Sequence, residues 1–522
     1  MRKTMPIHAL LFSQYPILFL FSRNIDKLEF TQIIRASLMS FLVSVLLLAG
    51  LRFVVKSIHR RGIIVSFFLL SFYSYGHVAI FFPNVELKSV QGLSIYRDDY
   101  LLFLWSFLLI AIVVWMRKSS RRFANANILL NAAAVFLVLI SVVQILIYTI
   151  RAGPRERLFF SSSKPLINEE TKVLDNNSAS LPDIYYIVLD GHARSDILEE
   201  IYHHDNSEFI NELKGAGFYI ASKSVTNYLQ TYQSISSTLN MEYINYLSND
   251  VSGDYSQRGL YRDLLNNNKV SKNLKDIGYF LITYESGWAG TESIHRTDMV
   301  LKEGLGLSEF ESILIGTTPL AVLGGEHIQF EVHRKRILFT LGSMPDITDI
   351  QQPTFTYAHI YAPHPPFVFD RSGQNVVQKV SFGTNDPSWK YLYNRSSNDY
   401  IRAYKDQLIF IDKKIIEVIK EILHRSKEEP IIILQSDHGP AALFHYDGPD
   451  DIALRERASI FNAYYFPGNN HDSLYESITP VNTYRLIFNM YFGENYEMLE
   501  DNSYYSTWDR PYEFELINEK VN

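Results

Sequence analysis

The sequence predicts an α-helical membrane domain with five transmembrane helices, followed by an α/β domain whose mostly parallel sheet is covered by helices on both faces. Two observations lead to this prediction. Long apolar runs dominate the chain up to Ile150, and short apolar runs separated by amphipathic stretches follow from Pro182 onward. A membrane span needs about 20 apolar residues, whereas a strand buried on both faces appears as a short continuous apolar run. We therefore divide the 522 residues into a membrane domain (1–150), a polar linker (151–181) and a second domain (182–522).

Five apolar stretches are candidate transmembrane helices. They are residues 5–21, 36–51, 62–83, 100–116 and 128–150. The third and fifth exceed the minimum of about 17 residues easily, and the other three lie close to it. The first is the weakest candidate because Ser13, Gln14 and Pro16 interrupt it. The alternative, buried helices of a large soluble protein, is disfavoured because these runs are longer than soluble core helices.

Positive charges between the candidate helices predict their orientation. Cations are concentrated before the first stretch, between the second and third, and between the fourth and fifth: Arg2, Lys3, Arg52, Lys56, Arg60, Arg61, Arg117, Lys118, Arg121 and Arg122. Loops rich in Lys and Arg stay in the cytoplasm. Five spans therefore place everything after Ile150 outside the cytoplasm, in the periplasm or the extracellular space, and make this a multi-pass protein of the inner or plasma membrane.

Composition excludes several classes of site. The chain has no cysteine, so it has no disulfide framework, zinc knuckle or thiolate nucleophile. Its formal charge is −7, and no stripe of Lys and Arg runs through the second domain. Nucleic acid is therefore not an expected partner.

The second domain alternates predicted strands with amphipathic stretches. The predicted strands are residues 183–189, 278–284, 354–361, 430–434 and 459–466, and residues 404–423 have the apolar spacing of a helix. Such alternation indicates a mostly parallel sheet. Functional residues of these sheets gather just past the carboxyl ends of the strands.

Acidic and histidine side chains stand at two of these strand ends. Asp190 follows the first predicted strand, and Asp437 with His438 follows a later one. A buried carboxylate needs a cation, either an arginine or a metal ion. Asp and His side by side offer oxygen and nitrogen, a mixture suited to Zn²⁺ or Mn²⁺. A helix cap or ion pair is the alternative for Asp190, and a capped loop is the alternative for the Asp-His pair.

Two further segments carry chemistry-bearing side chains. Residues 227–237 are rich in hydroxyls and amides, and a hydroxyl there is either a simple helix cap or a metal-activated nucleophile at a helix N-terminus. His359 and His364 leave a predicted strand and enter a proline-rich loop. Core packing is the plain explanation of two such histidines, but their place at a strand end favours a site.

Together, these four elements resemble the alkaline phosphatase/sulfatase superfamily. The resemblance is greatest to its membrane-anchored branch, which includes lipoteichoic acid synthases and lipid A phosphoethanolamine transferases, and it extends from about Pro182 to Tyr512. It implies five transmembrane helices ahead of an extracytoplasmic catalytic domain. It also implies one divalent metal ion, with Zn or Mn favoured and Mg or Ca as alternatives.

The resemblance assigns roles to individual residues. It implies metal ligation by four of them: Asp190, Thr231, Asp437 and His438. Thr231 would also be the catalytic nucleophile, and His364 would be catalytic through contact with the transferred group. Substrate binding is implied for three more residues: His359, His445 and Arg194.

The departures from the family pattern narrow the chemistry. Sulfatases carry Cys or Ser in a C/S-x-P-x-R signature and oxidise it to formylglycine, whereas residues 231–235 here are Thr-Tyr-Gln-Ser-Ile. A formylglycine sulfatase is therefore not expected. Asp190 is followed by Gly191 rather than by a second acid, which favours one principal metal ion. Arg194 stands one residue farther from the acid than the family's arginine.

The sequence hypothesis is a transferase. It would move a phospholipid headgroup to a cell-envelope glycan or polymer through a phosphothreonine intermediate, with a membrane lipid as donor. Two alternatives remain open at this point: a sulfatase-like phosphodiesterase or phosphatase, and a non-catalytic membrane protein that binds glycan.

Overall fold

The computed structural model describes most of the chain in two compact units. The described residues are 5–25, 28, 30–79, 81–82, 88–90, 93–95, 97–119, 123–151, 181–249, 258–288, 290–291, 297–304, 306–376, 382 and 395–521. Met1–Lys164 and Leu307–Gln329 form the first, which we call the membrane unit. Pro165–Gly306 and Phe330–Asn522 form the second, which we call the sheet unit. The predicted linker lies, except at its two ends, outside the described residues.

Helices and strands are numbered here in chain order. The helices are α1 (His8–Arg23), α2 (Thr31–Gly50), α3 (Ile58–Ala79), α4 (Arg97–Lys118), α5 (Ala124–Arg151), α6 (Ser195–Glu200), α7 (Ser207–Gly215), α8 (Thr231–Asn240), α9 (Gly259–Asn266), α10 (Lys269–Ile277), α11 (Glu309–Gly316), α12 (Glu326–Ser343), α13 (Ser397–Arg425), α14 (Asp451–Ala458), α15 (Pro480–Tyr491) and α16 (Asn518–Val521). The strands are β1 (Lys88–Val90), β2 (Leu93–Ile95), β3 (Ile184–Leu189), β4 (Tyr219–Ile220), β5 (Phe280–Tyr284), β6 (Met299–Leu301), β7 (Thr354–Ile360), β8 (Ile431–Gln435), β9 (Asn462–Tyr465), β10 (Tyr504–Tyr505) and β11 (Glu515–Leu516).

Four helices of the membrane unit are long and apolar enough to cross a membrane. They span Thr31–Phe53, Ile58–Ala79, Asp98–Lys118 and Ala124–Ile150. The remaining predicted span, the first one at residues 5–21, corresponds to α1, which has 16 residues and contains Pro16. At 1.5 Å per residue it is about 24 Å long, less than the hydrocarbon thickness of about 30 Å. The count of exactly five transmembrane helices is therefore not confirmed.

Helix α1 is joined to its neighbours by polar contacts. The two ring nitrogens of His8 lie 2.5 Å from the Ser66 hydroxyl of α3 and 3.0 Å from the Asn127 amide oxygen of α5. The Ser40 hydroxyl of α2 donates to the carbonyl oxygen of Ser13 at 2.7 Å. Small polar side chains join apolar helices in this way because no water competes for their hydrogen bonds. At Ser13 this contact is made by the backbone carbonyl, whereas the Ser13 hydroxyl donates to the Leu10 carbonyl within α1.

The second part of the membrane unit, Leu307–Gln329, is called the inserted segment. It contains α11, a turn at Ala321–Gly325 and the start of α12. The Glu311 carboxylate forms a two-pronged ion pair with Arg35 of α2. The Thr317 carbonyl accepts a hydrogen bond from the Gly76 amide of α3 at 2.9 Å. The sequence prediction assigned this segment to the second domain and did not anticipate that it packs on the membrane helices.

The sheet unit is built on a seven-stranded sheet with the order β4-β9-β8-β3-β7-β5-β6. Strands β8, β3, β7, β5 and β6 are parallel, and β9 is antiparallel to both of its neighbours. All five predicted strands are present, and the predicted helix over residues 404–423 lies within α13. The mostly parallel α/β architecture is therefore confirmed. The short strands β4 and β6 were not predicted.

Both faces of the sheet are covered, as the apolar runs predicted. Tyr186 and Val188 of β3 pack into a cluster with apolar residues of α8, α9, α10 and α15. The intervening Ile187 packs into a second cluster, on the opposite face, with residues of α7, α12 and α13. Successive side chains of a strand point to opposite faces. The central strands therefore carry apolar residues at every position.

Gly76→Ala provides a test of the packing between α3 and the inserted segment. A Cβ at Gly76 would lie 2.4 Å from the carbonyl oxygen of Gly316, so the two backbones would have to separate. We expect a loss of about 1–3 kcal/mol in stability, typical of overpacking. Thermal unfolding of the detergent-solubilised protein measures the effect. Gly50→Ala is the matched control, because a Cβ there meets nothing within 4 Å. Equal melting temperatures for the two variants would contradict this contact.

Candidate active site

Three adjacent strands bring the predicted site residues to one edge of the sheet. Asp190 follows β3, His359 lies near the end of β7, and Asp437 and His438 follow β8. Val188 of β3 is in register with His359 on one side and with Gln435 on the other. Since the three strands are parallel, their carboxyl ends meet, as expected for a site in this kind of sheet.

Thr231 joins this cluster from the first residue of α8. Its hydroxyl oxygen lies 3.0 Å from Nε2 of His438. The same nitrogen is 3.3 Å from Oδ2 of Asp437 and 3.6 Å from Oδ1 of Asp190. All four side chains that the resemblance assigned to the metal therefore converge on one point. Asp190, Asp437 and His438 are buried.

The two histidine rings nearest the acids are held through Nδ1. The carbonyl oxygen of Gly439 lies 2.9 Å from Nδ1 of His438, and the Thr291 hydroxyl lies 2.6 Å from Nδ1 of His359. Nε2 of His359 lies 3.1 Å from Oδ2 of Asp190. A carbonyl that accepts from Nδ1–H leaves Nε2 as the free base, which is the form that binds a metal ion.

Burial opposes every charge in this cluster. Burial, followed by the negative charge of Asp190, raises the pKa of Asp437 to about 7. Burial lowers the pKa of His359 to about 4, and burial with the charge of Arg457 lowers the pKa of His438 well below its usual value. The histidines are therefore neutral and do not compensate the two acids. Oδ2 of Asp437 is buried and accepts no hydrogen bond from any described residue.

The donor set fits a divalent cation. Two groups of three buried residues could each hold an ion, because the ligand atoms within each group lie within 4.8 Å of one another. One group comprises Asp190, His364 and His438, and the other comprises Asp190, His359 and Asp437. A cation would supply the charge that the neutral histidines do not, and mixed oxygen and nitrogen ligands suit Zn²⁺ or Mn²⁺. Asp190 belongs to both groups, so it is the residue that the two candidate ligand groups share.

Backbone contacts explain why glycines follow the acids. Gly191 has φ of +74°, a conformation that favours glycine over a second aspartate, and its amide donates to Oδ1 of Asp437 at 3.4 Å. A Cβ at Gly439 would lie 2.1 Å from the carbonyl oxygen of Glu456. The Gly439 amide donates to the carbonyl oxygen of Arg457 at 2.7 Å. The loop after β8 therefore packs backbone to backbone against the end of α14.

The loop that carries His364 is held from two sides. The His364 amide donates to the carbonyl oxygen of Asp190 at 3.0 Å. Gln407 of α13 donates to the carbonyl oxygens of Pro363 and His364 at 3.2 and 3.0 Å. The His364 ring lies 6.0 Å, centroid to centroid, from the ring of His438. His364 is thus buried beside the ring of His438 rather than within an apolar core.

Two predicted substrate-binding residues are not brought into this cluster. The Arg194 guanidinium pairs with Asp196 through hydrogen bonds of 2.7 and 2.9 Å and donates to the carbonyl oxygen of Ser224. His445 is exposed on the loop after β8. Their predicted role in substrate binding stays a prediction, whereas His359 lies in the cluster itself.

Sequence reasoning missed two residues of the site. Arg457 is buried, and its Nη2 lies 3.0 Å from Nε2 of His438. Thr291 positions the ring of His359. Neither residue stands at the end of a predicted strand or in a recognisable motif. One signal was present for Arg457, since it is a charged residue two positions before a predicted apolar strand.

Comparison with known proteins adds a family match. The family model described as Sulfatase matches residues 334–483. This stretch includes both histidines of the β7 region and the Asp-His pair after β8, but not Asp190 or Thr231. No curated protein sequence matches the chain.

Several solved structures are similar to this chain at low identity. The C-terminal periplasmic domain of phosphoethanolamine transferase EptC from Campylobacter jejuni has 12% identity and a TM-score of 0.39, with 65% of this chain and 95% of that chain covered. Lipooligosaccharide phosphoethanolamine transferase A from Neisseria meningitidis, an integral membrane protein, has 12% identity and a TM-score of 0.39, with 93% and 95% covered. A putative sulfatase from Bacteroides thetaiotaomicron has 9% identity and a TM-score of 0.40, with 62% and 78% covered.

Because these TM-scores lie below 0.5, they do not decide the family. The family match itself covers residues 334–483, which is less than half of the chain. This part of the sheet unit is therefore similar to the Sulfatase family of enzymes.

Proposed function

We propose that this protein is a membrane-anchored, metal-dependent transferase of phosphoryl type. It moves the headgroup of a phospholipid to a glycan or polymer of the cell envelope, with a phosphothreonine intermediate at Thr231. The observation that carries this proposal is the position of the Thr231 hydroxyl, 3.0 Å from Nε2 of His438 among two buried carboxylates. A threonine used only as a helix cap would not need such neighbours.

The identity of the nucleophile supports phosphorus rather than sulfur as the reacting atom. Formylglycine forms from Cys or Ser, and the position here is Thr231 in a chain without cysteine. A hydroxyl attacks a phosphodiester directly and keeps the phosphorus as an ester. The N-terminus of α8, where Thr231 is the first residue, also favours an anionic group.

Four side chains would hold the metal ion: Asp190, Asp437, His438 and Thr231. A bound divalent ion supplies Lewis-acid stabilisation and lowers the pKa of a hydroxyl that it contacts. Zn²⁺ or Mn²⁺ suits this mixture of oxygen and nitrogen donors. The Nδ1 contact of His438 with the Gly439 carbonyl keeps Nε2 available as the ligand atom.

The transfer takes place in two balanced steps. In the first, the Thr231 hydroxyl loses its proton and its oxygen bonds to phosphorus, while the bond from phosphorus to the lipid oxygen breaks and that oxygen takes up a proton to leave as the lipid alcohol. His364 would supply this proton or contact the transferred oxygens, and His359, which burial keeps neutral, would contact those oxygens. In the second, an acceptor hydroxyl loses its proton and bonds to phosphorus, the bond from phosphorus to Thr231 breaks, and the Thr231 oxygen takes up a proton again.

Membrane anchoring supplies the donor. The loops between α2 and α3 and between α4 and α5 hold the clustered cations, which supports a cytoplasmic position for both loops. The chain after α5 then lies outside the cytoplasm whether or not α1 crosses the membrane, because α1 precedes both loops. The sheet unit would therefore meet phospholipids of the outer leaflet and glycans of the envelope.

Thr231→Ala tests the nucleophile. We expect a loss on the order of 10³-fold or more in headgroup release, because no other hydroxyl would form the covalent intermediate. Metal content, measured by elemental analysis, should remain largely intact since three ligands persist. Thr231→Ser is the matched control and should retain measurable activity and a phosphorylated serine detectable by mass spectrometry. Wild-type rates in Thr231→Ala would refute this role.

Acceptor dependence separates transfer from hydrolysis. Purified protein in bilayers receives a phospholipid labelled in its headgroup, with or without envelope glycans. We expect label on the glycan and diacylglycerol as the co-product, because the second step needs an acceptor hydroxyl. If the label appears only as a free small molecule under both conditions, the protein is a hydrolase.

The affinity for metal should depend on pH through Asp437. Its pKa of about 7 means that a proton occupies the carboxyl below this pH and must leave when the metal binds. We expect affinity to fall about tenfold per pH unit below about 7 and to level off above it. Competition with a chelator at several pH values measures this dependence. Asp437→Asn should bind more weakly and lose the dependence; an unchanged slope in that variant would exclude Asp437 as its source.

A further inference from the structure

We propose that the inserted segment is a second membrane-contacting element. The turn at Ala321–Gly325 and the residues of the segment on either side of it lie in the interfacial layer of the bilayer, with Leu320, Leu323 and Ile328 in contact with lipid. This inference does not depend on the reaction that the site performs.

The sequence of the segment is suited to an interface. No charged residue lies between Glu311 and Glu326, and this stretch includes Ile313, Leu314, Ile315 and Leu320. It is shorter than the roughly 17 apolar residues that a span requires. An uncharged apolar stretch of this length between charged residues can lie in the interface but cannot cross the bilayer.

The contacts of the segment are with one end of the helical bundle. Glu311 pairs with Arg35 near the start of α2, and Thr317 accepts from Gly76 near the end of α3. Val322 packs against a cluster that includes Leu101, near the start of α4. These three positions share the end of the bundle opposite the cationic loops, since successive helices reverse direction. The segment thus lies at the level where the membrane helices begin and end.

Large apolar side chains of the segment are exposed within the membrane unit. The exposed fraction is 67% for Leu323, 55% for Ile328 and 46% for Leu320. Leu129 of the candidate spanning helix α5 is likewise 71% exposed, as expected for an apolar side chain that faces lipid. Leu320 and Leu323 lie in the uncharged stretch, and Ile328 follows it by two residues after Glu326. Single exposed apolar residues are common, but several within one short segment call for an apolar neighbour.

Bilayer lipid is the occupant that best fits this patch. The patch continues the apolar surface of helices that are themselves surrounded by lipid, and the stretch offers no charge for a polar protein partner. The turn at Ala321–Gly325 contains Leu323 and Gly324 in non-helical conformations. Backbone groups freed by such a turn need water or protein, which the interface provides and the hydrocarbon core does not.

Spin labelling can measure this depth directly, because the chain has no native cysteine. Leu323→Cys carries a nitroxide in the full-length protein, reconstituted in bilayers of phosphatidylethanolamine and phosphatidylglycerol. Collision with molecular oxygen, which concentrates in lipid, is compared with collision with a water-soluble nickel chelate. Leu129→Cys is the lipid-facing reference. Ile452→Cys is the reference for the sheet unit, since Ile452 is 59% exposed there.

We expect oxygen to be favoured over the nickel chelate at position 323, as at position 129. Preference for the nickel chelate, as at position 452, would overturn the proposal. Protection from both reagents would also overturn it, because a protein neighbour would then cover the patch. An unchanged thermal unfolding temperature in each labelled variant verifies that the fold is retained.

Discussion

Two carboxylates, Asp190 and Asp437, meet at the carboxyl ends of adjacent parallel strands, and both are removed from water. Buried like charges cannot persist without compensation, and the pKa of Asp437 rises to about 7 as a result. Burial also keeps His359 and His438 neutral, so these histidines offer ring nitrogens to a metal ion but no counter-charge to the acids. The proposed metal ion would supply the positive charge that the cluster lacks.

The surrounding structure keeps these side chains in place through backbone contacts. The carbonyl oxygen of Asp190 accepts a hydrogen bond from the His364 amide. Gly439 packs directly against the backbone of Glu456 and Arg457. Glu456 is buried and accepts hydrogen bonds from the amides of Ala442, Leu443 and Phe444. Such contacts order the loops before any substrate or ion is bound. Pre-organised ligands and donors lose little entropy when they bind, which is the general basis of efficient sites on α/β sheets.

Much of this arrangement could be predicted from the sequence because it follows from local patterns. Continuous apolar runs predict central parallel strands, and the polar residues that follow β3 and β8 then fall at one edge. Thr231 required the family resemblance, since a hydroxyl at a helix start is usually a cap. Arg457 and Thr291 could not be predicted, because tertiary packing alone brings them to His438 and His359. The inserted segment was missed for a related reason: an apolar stretch within a soluble domain resembles an ordinary core helix until its contacts are known.

Asp190 contributes one carboxylate oxygen toward each candidate ligand group. Oδ1 lies 3.6 Å from Nε2 of His438, and Oδ2 lies 3.1 Å from Nε2 of His359. A ligand shared in this way makes the two groups thermodynamically linked, because an ion at one oxygen withdraws charge from the other. Two ions would then load with negative cooperativity, and each would weaken the other by the same factor. The sharing of Asp190 would therefore favour one principal ion over two.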